Sequence, residues 1–165
     1  QGIDARQLTG PVDSVTFCLS KGLCAPVGSV LCGSKEFIDK ARRWRKHLGG
    51  GMRQAGIVAA AGIVALETMV ERLSDDHVRA KKLAGSLKAI HGMVIDEPVT
   101  NMVYFSISGH AGLTLEQIKH KMKENGVLIQ GTGARRFRLV THYWIDDAGI
   151  EKALAAFREV LNREA

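Results

Sequence analysis

Apolar and polar residues change rhythm along this chain, and each rhythm implies a different element. Residues 15–19 and 27–31 are short, β-branched and nearly continuous in apolar residues. Gly10-Pro11, Ser20-Lys21-Gly22 and Gly33 bound them, so they read as two neighbouring strands. Their lack of strict alternation predicts a sheet covered on both faces, as in α/β folds. Ser34 with Glu36 opens a helix that runs to about residue 47 and stops at Gly49-Gly50-Gly51. Residues 52–73 predict a long helix, apolar all round through Leu66, which is expected to be buried in a domain or subunit contact.

Asp75 and Asp76 start a further helix to about residue 90, with Leu83, Leu87 and Ile90 on one stripe. Residues 101–107 then alternate as a strand, placing Val103, Phe105 and Ile107 on one face. Thr114 and Gln117 form a capping box for a helix striped by Leu115, Ile118 and Met122, which Gly126 ends. Residues 127–130 and 135–142 read as strands, and Asp146 caps a last helix striped by Ile150, Leu154, Phe157 and Leu161. The expected order is a piece of a larger α/β domain followed by a compact αβαββα unit. No internal repeat interrupts it.

Composition sharpens this picture at a few points. With 165 residues, 45% hydrophobic and 24% charged, the chain is long enough to bury a core. The apolar run at 55–66 is too short to span a bilayer, and Gln1-Gly-Ile-Asp-Ala-Arg lacks the apolar region of a signal peptide. A cytoplasmic location without membrane attachment is therefore expected. The absence of an initiating methionine, close to a strand expected mid-sheet, predicts a fragment of a longer protein. A net charge of +6 raises a nucleic-acid partner, but only 5% of residues are aromatic and no helix-turn-helix or zinc-finger spacing occurs. Cys18, Cys24 and Cys32 form no C-x-x-C pair and read as reduced, buried thiols. His47, His77, His91, His110 and His120 lack partners at ligand spacing, so no metal site is expected.

Three places could carry chemistry. Lys21 sits on the small-residue turn between the first two strands, held by the backbone yet free to reach into a cleft, as a Schiff-base lysine must. On an extended strand, Arg136, Arg138, Val140 and His142 face one way, while Phe137, Leu139 and Thr141 face the other. The arginine face is left towards solvent or a cleft, where a guanidinium can grip a carboxylate with two parallel hydrogen bonds. Arg42, Arg45 and Lys46 share a helix face, and Arg53 follows the triple glycine. By itself that stripe is also compatible with a solvated cationic surface or a nucleic-acid patch. Gly131-Thr-Gly133 lacks the third glycine and the following helix of a dinucleotide loop.

The runs Ser20-Lys21-Gly22-Leu23, Ala25-Pro26-Val27-Gly28-Ser29, Arg43-Trp44-Arg45-Lys46 and Gly49-Gly50-Gly51-Met52-Arg53-Gln54 together closely resemble the threonine aldolases. These are pyridoxal-phosphate lyases of the aspartate-aminotransferase fold type, and the resemblance runs from about residue 13 to the end. It implies an α/β fold in which residues 1–73 are the C-terminal part of a cofactor-binding large domain and 74–165 a small α+β domain. It implies that Lys21 carries pyridoxal 5'-phosphate and that Lys46 and Arg53 line its phosphate side, partly from a neighbouring subunit. Arg138, in Arg138-Leu-Val-Thr-His142, would bind the substrate carboxylate. The implied reaction cleaves threonine or allo-threonine to glycine and acetaldehyde. The implied partners are an amino-acid substrate, further copies in a dimer or tetramer, and the N-terminal half of the same enzyme, without which this chain is expected to be inactive.

Cys24 departs from the pattern, standing where the family run Ser-Lys-Gly-Leu-Gly ends in glycine. Two other readings stay open: another enzyme of the same fold type, such as an aminotransferase or β-eliminating lyase, and a basic binding module using residues 37–47.

Overall fold

The computed structural model describes residues 2–108, 113–133 and 135–162; His110 lies outside them. The chain divides into two compact units, residues 1–73 and 74–165.

In the first unit, α1 (Ala5–Thr9) precedes an antiparallel pair, β1 (Ser14–Cys18) and β2 (Ser29–Gly33), in register Ser14 to Gly33 and Cys18 to Ser29. The second strand lies two residues later than its apolar pattern implies, because Gly28 takes φ +118° and belongs to the turn. In α2 (Lys35–His47) the Ser34 side chain accepts from the Phe37 N–H, as a helix N-cap does. The expected long helix is shorter: α3 spans Gly56–Thr68. Gln54 sits at φ +55°, a left-handed conformation that cannot continue a right-handed helix. Of α3, Gly62 and Ala65 are buried and Ile57 is 83% exposed, so most of this apolar helix is left uncovered by the described residues. The two strands are likewise mostly exposed instead of covered on both faces, and Cys18, Cys24 and Cys32 are free and exposed where buried thiols were expected. A small core of Leu19, Leu23, Ala25 and Ala65, with Val30, Met69 and Leu73 against it, holds the unit together.

The second unit is better filled. A four-stranded antiparallel sheet has the order β3 (Met93–Ile95), β4 (Met102–Ile107), β6 (Arg136–Val140), β5 (Gln130–Gly131). The three-residue β3 carries no alternation of its own and is absent from the sequence-based order; pairing with β4 creates it. The helices are α4 (Leu73–Leu87), which starts on the last residue of the first unit, α5 (Leu115–Glu124) and α6 (Asp147–Asn162). The capping box of α5 is formed on both sides, and the Asp146 carboxylate accepts from the Gly149 N–H at 2.8 Å at the start of α6.

The apolar stripes converge as their periods imply. Val103, Phe105 and Ile107 of β4 and Phe137 of β6 are buried with Leu83 and Leu87 of α4, Ile118 and Met122 of α5, and Leu154 and Phe157 of α6. Phe105 stacks on Phe137 at 5.1 Å and meets Phe157 edge-on at 5.4 Å. Each such side chain contributes about 1.5–3 kcal/mol by leaving water. Residues 127–129 do not ladder onto β6, so the strand expected over 127–130 shrinks to Gln130–Gly131.

Candidate active site

Apolar anchors beneath and backbone bonds around it hold the turn that carries Lys21. The Leu19 N–H donates to the Gly28 carbonyl (2.9 Å), Ala25 N–H to the Leu19 carbonyl (3.0 Å), and Cys24 N–H to the Lys21 carbonyl (2.9 Å). Leu19, Leu23 and Ala25 point into the small core, while Lys21 is exposed. Close packing explains the glycines: a Cβ on Gly22 would lie 2.7 Å from Leu73 Cδ2, and one on Gly62 2.9 Å from Leu19 Cδ1. Cys24 holds φ +59°, and its thiol lies 3.7 Å from the Gly22 carbonyl. The turn thus presents one amine on a fixed backbone. Its Nζ has no hydrogen-bond or ion-pair partner among the described residues.

The other cations of this unit divide by position. Along α2, Lys40 pairs with Glu36 (2.7 Å), and Lys35 and Arg42 with Asp39 (3.5 and 3.4 Å). Arg43, Arg45 and Lys46 in the following turn, and Arg53 beyond it, have no acidic partner among the described residues. The glycine loop shapes this group. The Gly50 N–H donates to the Arg45 carbonyl (2.8 Å) and Gly49 N–H to that of Lys46 (3.2 Å), with Gly49 at φ +81°. A Cβ on Gly51 would lie 2.7 Å from Lys46 Cδ and 3.4 Å from its Nζ, so the bare glycine gives the lysine stem its path. Arg53 is exposed in the turn that leads to α3. Unneutralised cations flanking a glycine loop favour an anion of phosphate type.

Arg138 belongs to the second unit. In the sheet register it stands between Tyr104 of β4 and Gln130 of β5. Thr141 secures the end of its strand: its buried Oγ1 donates to the Asp76 carbonyl at 2.7 Å, and its N–H to the Asn101 carbonyl at 3.0 Å. Arg138 is half-buried and lines a hollow of about 960 Å³, and its guanidinium has no partner among the described residues. Arg136 and His142, which the alternation puts on the same face as Arg138, both have partners. Arg136 pairs with Asp96 and lies over the Tyr104 ring, and His142 Nδ1 accepts from the Trp144 N–H at 3.3 Å. The sequence did not single out Gln130, because only strand pairing places it beside Arg138.

A family profile described as beta-eliminating lyase matches residues 1–109. The chain belongs to that family. It is 40% identical over 162 residues to the low-specificity L-threonine aldolase 1 of Arabidopsis thaliana, covering 97% of this chain and 45% of that protein. It is also 40% identical over 162 residues to the low specificity L-threonine aldolase of Escherichia coli K12, covering 98% and 47%. The chain therefore spans about half the length of the curated relatives it matches.

Among solved structures, a candidate L-allo-threonine aldolase of Listeria monocytogenes aligns with TM-score 0.77 at 20% identity, covering 96% of this chain and 47% of that one. The aspartate aminotransferase of Rhizobium meliloti aligns with TM-score 0.70 at 18% identity, covering 100% and 47%. These likenesses establish the fold: α/β, of the aminotransferase type. No helix among the described residues is long and apolar enough to cross a membrane.

Proposed function

We propose that this chain carries the cofactor lysine and the carboxylate-binding arginine of a pyridoxal-phosphate-dependent aldehyde-lyase. That enzyme cleaves L-threonine and L-allo-threonine, and related β-hydroxy-α-amino acids, to glycine and an aldehyde such as acetaldehyde. One observation carries the reading. Lys21 is an amine without a partner among the described residues, on a turn fixed by three backbone hydrogen bonds, inside a chain that is 40% identical to threonine aldolases of two kingdoms.

The donor set fits the cofactor. The amine of Lys21 is the attachment point, and Lys46 and Arg53, which have no acidic partner among the described residues, suit its phosphate. When bound, pyridoxal phosphate supplies the sink for the electron pair left on Cα as the Cα–Cβ bond breaks. Arg138 grips the substrate carboxylate with its planar fork, and holding that group decides which bond at Cα is presented for cleavage. Lys21 would hold the cofactor through its amine, and its fixed backbone would keep that amine at one place in the site.

In this reading residues 1–73 belong to the cofactor-binding domain and 74–165 to the small domain. The exposed apolar surface of α3 and of the β1–β2 pair meets the N-terminal half of the enzyme or further copies in a dimer or tetramer. The cytoplasm is the proposed compartment.

Borohydride reduction of the whole protein with pyridoxal phosphate, followed by peptide mass spectrometry, tests the assignment. A pyridoxyl group on Lys21, absent in Lys21→Ala together with acetaldehyde release, is the expected result. A label on another lysine, or cleavage that survives Lys21→Ala, refutes it. Keto acid in place of glycine and aldehyde points to an aminotransferase of the same fold.

A further inference from the structure

We propose that Gln130 shares the substrate carboxylate with Arg138. This rests on the reading of Arg138 as the carboxylate anchor and extends it to a residue that neither the motif nor the relatives' names assign.

The sheet places four polar side chains in one row across its non-core face. Asp96 donates its N–H to the Tyr104 carbonyl at 2.9 Å, Tyr104 pairs with Arg138, and Arg138 pairs with Gln130. Residues directly opposite in an antiparallel pair have Cβ atoms about 4.5–5.5 Å apart, so their side chains work on the same volume.

Half of this row satisfies itself. Arg136, on the same face one step along β6, binds Asp96 and lies over the Tyr104 ring with its guanidinium carbon 5.5 Å from the centroid. The Tyr104 hydroxyl donates to Met102 Sδ at 3.7 Å. That leaves Arg138 and Gln130. Neither side chain has a hydrogen-bond partner among the described residues, and both line the same hollow of about 960 Å³. A guanidinium and a carboxamide side by side, both unsatisfied, offer three or more N–H donors to one planar anion. A carboxylate has about four lone-pair sites and can accept from both.

Gln130 would therefore add a charge-assisted hydrogen bond and hold the carboxylate on the β5 side of Arg138. It is an uncharged donor, which increases grip without adding another cation to compete with Arg138. Its position on an exposed, two-residue edge strand means that replacing it costs the core nothing.

Steady-state kinetics on the whole holoenzyme with threonine and with threonine amide test this. Gln130→Ala is expected to raise KM for threonine about tenfold, the size of a lost hydrogen bond to a charged group, with kcat falling much less. Gln130→Glu is expected to raise it further, because a second carboxylate repels the substrate and competes for Arg138. With threonine amide, which lacks the negative charge, the Glu penalty should largely disappear. A merely structural role for Gln130 would affect both substrates alike.

Arg138→Ala, measured in parallel, separates the two possible failures. If Arg138→Ala leaves KM for threonine unmoved, the anchor reading falls and this proposal with it. If Arg138→Ala raises KM while both Gln130 variants stay within about twofold of wild type, a difference too small for a charge-assisted bond, the Gln130 proposal alone is overturned.

Discussion

Cys24 holds a left-handed backbone at φ +59°, three residues after Lys21, and its substitution by glycine tests how this turn is held. For an L-residue that conformation costs roughly 1–2 kcal/mol, a cost glycine does not carry. Glycine in turn loses more freedom on folding, which offsets roughly 0.4–1 kcal/mol. The Cys24 side chain is exposed, and its one side-chain hydrogen bond among the described residues is the weak S–H contact to the Gly22 carbonyl at 3.7 Å, so little packing is lost with it. Cys24→Gly should therefore stabilise the chain by about 0.5–1 kcal/mol, which corresponds to a rise in Tm of roughly 1–4 °C at this size. Cys24→Ala keeps the strain and should leave Tm near wild type. Cys24→Val, β-branched in a region that excludes it, should lower Tm. Scanning calorimetry on the four proteins gives the comparison. If alanine matches the gain from glycine, or glycine destabilises, the left-handed backbone is not the source of strain and the reasoning fails.

Three further outcomes follow from the same structure. Gly51→Ala puts a Cβ 2.7 Å from the stem of Lys46 and displaces a flexible side chain instead of backbone, so Tm should hold while cofactor affinity of the whole protein drops; an unchanged affinity would remove the loop's role in directing Lys46. Thr141→Val removes the hydroxyl that donates to the Asp76 carbonyl at 2.7 Å and should cost about 0.5–1.5 kcal/mol in urea unfolding, whereas a neutral result would show that water replaces the hydroxyl. Lys82 lies 2.9 Å from Glu151, and its hydrogen bond and charge hold the Glu151 carboxyl below the usual value of 4.5. A lowered carboxyl stabilises above its unfolded value and loses that contribution as pH falls through the folded one. Lys82→Met should move the Glu151 midpoint up towards 4.5 in an NMR titration, and no movement would discount the pair.

Local chemistry was legible where it had a local cause. The Thr114–Gln117 capping box, the Ser34 cap, the alternation in β4 and the stripe of α6 each arise within a few residues, and each is found where the sequence places it. Lys21 on its turn and Arg138 on the non-core face of β6 were legible for the same reason. Misreadings fall where the cause is distant or conformational. Gln54 carries no sign of its left-handed backbone, so the helix expected from residue 52 starts at Gly56. The apolar run at 127–129 has strand composition but no ladder, and β3 has a ladder but little composition.

Taken alone, the sequence determined the capped helices, the alternation of β4 and which helix stripes are apolar, because periodicity, caps and residue type act over short range. Tertiary structure decided which cations stay unpaired, which strands neighbour one another and which residue stands beside Arg138. Ion pairing and sheet register join chain segments 40 residues apart or more, as Arg136 with Asp96 and Lys82 with Glu151 show, and no local pattern encodes that proximity.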